Sequence, residues 1–198
     1  MSTWDRLIKR VFDIAVSLVI LTLSWWIIII AFILSTLDTR KCGFFTQLRV
    51  GKDGKLFHVI KIRTMRDMPH IKTTVTSEND PRITRLGRFF RKTKIDELPQ
   101  LINVLFGQMS LVGPRPDVPG YADQLTGDDR IILTVRPGIT GPATLKFRNE
   151  EALLAAQEDP ETYNREVIWP EKVRLNREYV ENYSFWKDIK YLWKTLWG

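Results

Sequence analysis

The hydrophobic pattern splits the chain into one unbroken apolar run near its start and a long remainder of short apolar groups. Residues 14–37 carry no charge, and most of these 24 positions are Ile, Leu, Val, Ala, Phe or Trp. As a helix the run measures about 36 Å, long enough to enter a hydrocarbon core and too uninterrupted for an ordinary core helix. No small-residue cleavage site follows it, so a removable signal peptide is a poor reading. Arg6, Lys9 and Arg10 flank its start, and Arg40 and Lys41 its end. A single spanning helix carries its basic flank on one side. Two basic flanks suit a re-entrant segment whose ends return to the cytoplasmic face; a spanning helix with extra basic residues outside is the alternative. Ser24 is placed to bond a preceding carbonyl and ease a bend.

After Lys41 the pattern changes. Residues 44–50 and 56–62 alternate in part and are joined by Gly51-Lys52-Asp53-Gly54, which predicts a β-hairpin. Residues 66–80 are polar and read as a loop. Arg82, Arg85, Arg88, Arg91 and Lys92 fall at helical spacing opposite Ile83, Leu86 and Phe90, a basic amphipathic helix whose charged face meets either water or anions. A further helix is predicted from Asp96, with that residue at the N-cap, Pro99 in the first turn and Leu98, Leu101, Ile102 and Leu105 as an apolar stripe ending at Gly107. Gly113-Pro114-Arg115-Pro116 and residues 136–141 read as rigid turns. Residues 150–157 suggest a solvated acidic surface helix. Residues 185–197 place Phe185, Ile189, Leu192, Trp193 and Leu196 on one face among lysines; this helix lies at a membrane interface or docks on the core.

Composition narrows the chemistry. The 198 residues carry a net charge of +7, with one cysteine, Cys42, and two histidines, His58 and His70. That excludes a disulfide framework, a cysteine zinc cluster and a multi-histidine metal site. No Walker-type loop, Gly-x-Ser-x-Gly elbow or dinucleotide fingerprint occurs. Between residues 40 and 94 stand fifteen Lys/Arg against four Asp/Glu. A bare Asp-Glu pair such as Asp96-Glu97 is ordinarily a cap with a favourable first-turn acid. Here it follows a dense cationic helix and precedes arginines on stiff turns, which suit bidentate phosphate binding. Carboxylates ringed by arginines fit a phosphoryl group with a divalent metal, and oxygen-only ligation favours Mg²⁺.

These residues carry a resemblance. Lys9-Arg10-Val11-Phe12-Asp13, Lys61-Ile62-Arg63-Thr64-Met65, residues 80–88, Asp96-Glu97-Leu98-Pro99-Gln100-Leu101, Asn103-Val104, residues 109–116 and residues 135–141 occur in an order similar to that of the bacterial sugar transferases, the small monotopic polyprenyl-phosphate phosphoglycosyl transferases. The length resembles that of the minimal form without extra N-terminal membrane helices. The resemblance implies an α+β, mainly helical fold: a re-entrant membrane helix over 1–40, then a cytosolic catalytic domain over 41–198 with a small β-hairpin and interfacial amphipathic helices. It implies transfer of a sugar-1-phosphate from a nucleoside-diphosphate sugar, usually a UDP-sugar, to undecaprenyl phosphate with release of UMP. That is the first membrane step of surface glycan synthesis, at the cytoplasmic face of the bacterial inner membrane.

Carried over by position, Asp96 is the nucleophile that forms a phosphosugar-aspartyl intermediate by a ping-pong route and touches Mg²⁺, and Glu97 is its dyad partner. Arg91 and Arg115 hold phosphates, and Arg136 and Lys61 line the same site. Lys9, Arg10 and Asp13 meet lipid headgroups, with Lys9 and Asp13 spaced for an i,i+4 pair. Two departures stand out: Trp25 follows Ser24 where the family commonly has a proline, and Pro142-Ala143-Thr144-Leu145 follows Gly141 where many relatives have a Trp-Ala-Gln-Val type sequence. Outside this family, the alternatives are a membrane-bound scaffold, a nucleic-acid-binding protein, or a lipid-acting enzyme that releases UDP or inorganic phosphate. No nucleic-acid-binding motif is present, and none is expected as a partner.

Overall fold

The computed structural model describes residues 1–68, 71, 73, 76 and 80–197. Of the polar stretch 66–80, residues 69, 70, 72, 74, 75 and 77–79, His70 among them, lie outside the described residues. Its first helix, α1 (Thr3–Thr39), opens with a capping box between Ser2 and Asp5 and ends at Arg40, whose φ of 56° stops the helix. The apolar run thus lies within one continuous helix. Ser24 does bond back, its hydroxyl donating to the Ile20 carbonyl at 2.7 Å.

The polarity of α1 is reversed. Its buried positions are Lys9, Asp13, Ser17, Ser24, Ile28, Ala31, Ser35 and Thr39, six of eight polar. Its exposed positions include Leu7, Val11, Leu18, Val19, Leu23, Trp26, Ile29, Ile30, Ile33 and Leu37. A water-soluble helix buries its apolar stripe; this one turns small and polar groups inward. Among the described residues it is the one helix long and apolar enough to cross a membrane.

Polar contacts bind α1 to the body alongside apolar packing of Phe12, Val16, Ile20, Ile28, Ala31 and Phe32. Lys9 pairs with Asp188 at 2.5 Å, with side-chain exposures of 10% and 2%. Arg10 donates to the Val104 and Leu105 carbonyls at 2.6 and 2.9 Å. Asp13 accepts the Leu111 N–H at 3.1 Å. Near the other end Ser35 donates to the Arg63 carbonyl at 2.6 Å. The three residues expected at lipid headgroups are therefore occupied inside the protein. Lys9 takes Asp188 as its ion-pair partner rather than Asp13, because the helix over Phe185–Trp197 brings that acid to it from far along the chain.

The hairpin has the expected bounds: β1 (Phe44–Val50) and β2 (Leu56–Ile62) run antiparallel. Asp53 and Gly54 adopt φ of 57° and 75° in the connection, the left-handed pair that Asp-Gly favours. Then α2 (Arg85–Thr93) begins after Thr84, whose hydroxyl accepts the Gly87 N–H at 2.8 Å. Arg82 and Ile83 fall outside this helix, since the Thr84 cap starts it after them; Arg82 instead grips Asp80 at 2.6 Å. Gly87 lets α2 approach closely, because a Cβ there would meet the Thr64 carbonyl oxygen at 2.0 Å.

A single 3₁₀ turn, Ile95–Glu97, leads to α3 (Gln100–Leu105). The rigid turns read from the sequence contain a second sheet: β3 (Ser110–Val112) pairs in parallel with β4 (Gly138–Thr140). A Cβ on Gly138 would lie 2.1 Å from the Gly113 nitrogen, so the glycines that resemble turn residues are there for backbone contact. The helices α4 (Pro142–Lys146), α5 (Glu150–Ala155), α6 (Pro160–Tyr163), α7 (Trp169–Glu181) and α8 (Phe185–Trp197) complete the chain. The α8 face against the body centres on buried Asp188, with Tyr191 and Leu192 beside it, while Trp186, Trp193, Leu196 and Trp197 are exposed. The helix therefore docks on the core and also presents tryptophans outward.

Removing one partner of a buried ion pair leaves the other uncompensated. Asp188→Asn is expected to lower unfolding stability by about 3 kcal/mol, read by near-UV circular dichroism in detergent, and Lys9→Met with Asp188→Leu is expected to recover most of it.

Candidate active site

The 3₁₀ turn between α2 and α3 carries Asp96 and Glu97. It exists because Lys94 adopts φ 59° and ends α2, and the Glu97 N–H then returns to the Lys94 carbonyl at 3.1 Å. Asp96 is thus not the N-cap of α3: Pro99 holds that position and makes no side-chain cap. The N–H groups expected to stabilise an ionised Asp96 are not offered to it, and its Oδ1 is buried with no hydrogen-bond partner.

The two carboxylates have opposite surroundings. Glu97 Oε1 accepts from Arg115 Nη2 at 2.6 Å and from Lys61 Nζ at 3.2 Å. Burial opposes its charge, but Arg115 and then Lys61 hold its carboxyl well below the usual range. Asp96 is pushed up to about 6, first by burial and then by the charge of Glu97, against the pull of Lys61, Arg91 and Lys94. Two adjacent acids therefore differ in role: one is a fixed anion and the other a weakly held one, a division typical of working sites.

Each cation is positioned from a different element. Lys61 lies on β2, and buried Asn103 ties that strand to α3 by accepting the Ile60 N–H at 3.0 Å and donating to the His58 carbonyl at 2.8 Å. Burial, its largest influence, lowers the Lys61 ammonium. Arg115 follows β3 in a segment fixed on both sides: the Pro114 carbonyl accepts from Gly138 at 2.8 Å, and the Pro116 carbonyl accepts from Arg49 at 3.0 Å. Arg91, in the last turn of α2, donates to Thr64 Oγ1 at 3.2 Å and to Glu151 Oε1 at 2.6 Å.

Arg136 is placed apart from these. Its Nε donates to the Gly107 carbonyl at 2.7 Å, beside Arg10, at the end of α3 away from Asp96. The reason is β4, which starts two residues later and carries Arg136 to that end. Lys9, Arg10 and Asp13 likewise serve the attachment of α1.

Other members were not singled out from the sequence. Arg49 neighbours Arg115 and is lowered to about 10, chiefly by burial. Asp117 is pushed up to about 6 by burial, against Lys172, Arg49 and Arg115. Glu150 accepts from Lys172 at 2.7 Å. The first turn of α5, read as a solvated surface, is therefore turned onto site cations. A basic residue at strand spacing and acids in a polar run carry no signal of their own. Only the two-residue step from Arg115 to Asp117 offered a clue.

The chain matches the bacterial sugar transferase family over residues 4–198. It is 37% identical over 204 residues to an undecaprenyl-phosphate glucose phosphotransferase of Komagataeibacter xylinus, across 99% of this chain and 36% of that protein. It is 36% identical over 197 residues to a UDP-glucose:undecaprenyl-phosphate glucose-1-phosphate transferase of Escherichia coli K12, across 97% of this chain and 40% of that one. It is also 36% identical over 190 residues to the uncharacterized sugar transferase EpsL of Bacillus subtilis, across 96% and 86%. The chain thus spans well under half the length of the first two.

The carboxylates set opposite pH dependences. Ionising Asp96 within the fold costs stability between its ordinary value of 3.8 and about 6, so acidifying through pH 6 removes that cost. Glu97 contributes stability above its ordinary 4.5 that is lost as pH falls below it. At pH 7.5 without divalent cations, Asp96→Asn is expected to stabilise the protein by on the order of 2 kcal/mol. Glu97→Gln is expected to destabilise it. Thermal melts from pH 4 to 8 check both, the Asp96→Asn gain shrinking towards pH 4.

Proposed function

The chain belongs to the bacterial sugar transferase family, and on that premise we propose that it moves a sugar-1-phosphate from a nucleoside-diphosphate sugar, with UDP as the nucleotide, to undecaprenyl phosphate. The observation that carries this reading is the buried, unpartnered Asp96 Oδ1 beside a Glu97 already neutralised by Lys61 and Arg115. A carboxylate without a partner, facing cations, is a nucleophile awaiting an electrophile. Asp96 attacks the phosphorus that bears the sugar. The bond from that phosphorus to the bridging oxygen breaks, and UMP leaves with the electron pair. An oxygen of the lipid phosphate then attacks the same phosphorus, the aspartyl–phosphorus bond breaks, and the carboxylate is restored.

Arg91 and Arg115 contribute charge to the transferring phosphoryl oxygens, and Lys61 with Arg115 keeps Glu97 anionic. The buried, unsatisfied Asp96 Oδ1 is a carboxylate oxygen of the kind Mg²⁺ takes. Among the described residues no three acidic, histidine or cysteine side chains converge, so Asp96 would hold the ion together with water and substrate phosphates, and the ion would supply positive charge beside the phosphoryl group.

Two contacts of α1 support the membrane placement in this reading. Both of its ends are bonded to one body, and one body stands on one side of a bilayer, which supports a re-entrant rather than a crossing segment. The outward apolar face of α1 and the exposed tryptophans of α8 then meet lipid, with the site on the cytoplasmic face of a bacterial inner membrane, where undecaprenyl phosphate is presented.

Detergent-solubilised protein with Mg²⁺, undecaprenyl phosphate and a panel of UDP-sugars is expected to release UMP, with Asp96→Asn reducing turnover by about 10³-fold or more and chelation of the metal abolishing it. Release of UDP overturns the mechanism. For topology, Cys42 and an introduced Ser2→Cys are both expected to react with an impermeant maleimide in inverted membrane vesicles and neither in spheroplasts. Labelling of either one in spheroplasts means that α1 crosses.

A further inference from the structure

The first turn of α5 occupies Arg91, a cation of the proposed donor site, and the neighbouring Lys172. Glu151 Oε1 takes Arg91 Nη1 at 2.6 Å, and Glu150 Oε1 takes Lys172 Nζ at 2.7 Å. Arg91 acts on Asp96 and Glu150 on Arg115, so each ion pair has one member among the charges that bear on Asp96 and Glu97. Little else holds this turn down. Its leading Asn149 makes no side-chain cap, and Leu154 is the one buried residue of its six. The Glu151 side chain remains 44% exposed.

Resting on the proposed donor site, we infer that Glu150 and Glu151 are internal competitors for it: they and the donor's diphosphate are alternative occupants of Arg91 and Lys172. The chemistry favours exchange. Each carboxylate offers one negative charge, Glu151 through a partly exposed pair of modest strength and Glu150 through a more buried one, whereas a diphosphate presents several charges and a fork that matches guanidinium. Binding of the donor lifts the turn. When the bond to the sugar-bearing phosphorus has broken, the departing nucleoside monophosphate holds fewer of these cations, and the turn closes again and expels it. Glu150 and Glu151 thereby set donor affinity without touching the reacting atoms. This assignment gives a role to the segment after Gly141, where the sequence departs from many relatives.

UDP binding, measured by calorimetry on the full chain in detergent, reads this without turnover. Glu151→Gln is expected to tighten UDP about five-fold, the size of one released surface pair. Glu150→Gln/Glu151→Gln is expected to tighten it further, and Glu166→Gln, the same charge change on an exposed acid, to leave it unaltered. In the unsubstituted protein, UDP is expected to speed hydrogen exchange at residues 150–157. Weaker UDP binding by Glu151→Gln, or slower exchange on adding UDP, means that Glu151 orients Arg91 and overturns the competition. Equal tightening by Glu166→Gln means net charge alone and also overturns it. If no variant nor the parent binds UDP while all melt cooperatively, the donor site itself fails, and the inference with it.

Discussion

A helix that turns its polar side chains inward obliges the rest of the chain to supply a partner for most of them. The body answers α1 with the Asp188 carboxylate for Lys9, the carbonyls at the end of α3 for Arg10, the first residues of β3 for Asp13 and the carbonyl after β2 for Ser35. Those four contacts fix α8, α3, β3 and the end of β2 against one rod. β2, α3 and β3 also carry Lys61, the turn before α3, and Arg115. The geometry of the candidate site is thus a by-product of how α1 is satisfied, with these groups held in place because their elements are already committed to α1.

Within that frame, chemistry comes from inequality between neighbours. Asp96 and Glu97 are adjacent in sequence and share one turn, yet Glu97 has two cations and Asp96 Oδ1 has none. Had both been paired, the site would be an inert salt-bridge cluster; had neither, two buried charges would repel. One satisfied anion beside one unsatisfied anion keeps the fold intact while leaving one oxygen without a partner.

Much of this was legible in the residues. The Asp-Gly hairpin, the apolar run and the cluster of Asp96, Glu97, Arg91, Arg115 and Lys61 follow from local pattern and motif order. What local pattern could not carry was contact between remote segments. The parallel pairing of β3 with β4 spans a long insertion, and its glycines look like turn glycines because both uses need a missing Cβ. Lys9 and Arg10 read as headgroup residues since their partners lie far along the chain. Glu150 and Glu151 read as solvated for the same reason. The helix after Asp96 starts one turn later than its pattern predicts, since proline at 99 marks a helix start equally well whether that helix begins at 96 or at 100.

The ion pair between Lys9 and Asp188 also has a consequence for biogenesis. Its partners are 179 residues apart, so at ordinary rates of synthesis Lys9 is made roughly ten to forty seconds before Asp188. Through that interval α1 has a lipid-loving side that is complete and an inward side that is not. Until then Lys9 has no Asp188 to pair with, and the seating of α1 waits for the closing helix. Assembly therefore runs from the outside in: the outward apolar surface is ready first, and the contacts that bury its reverse side come last.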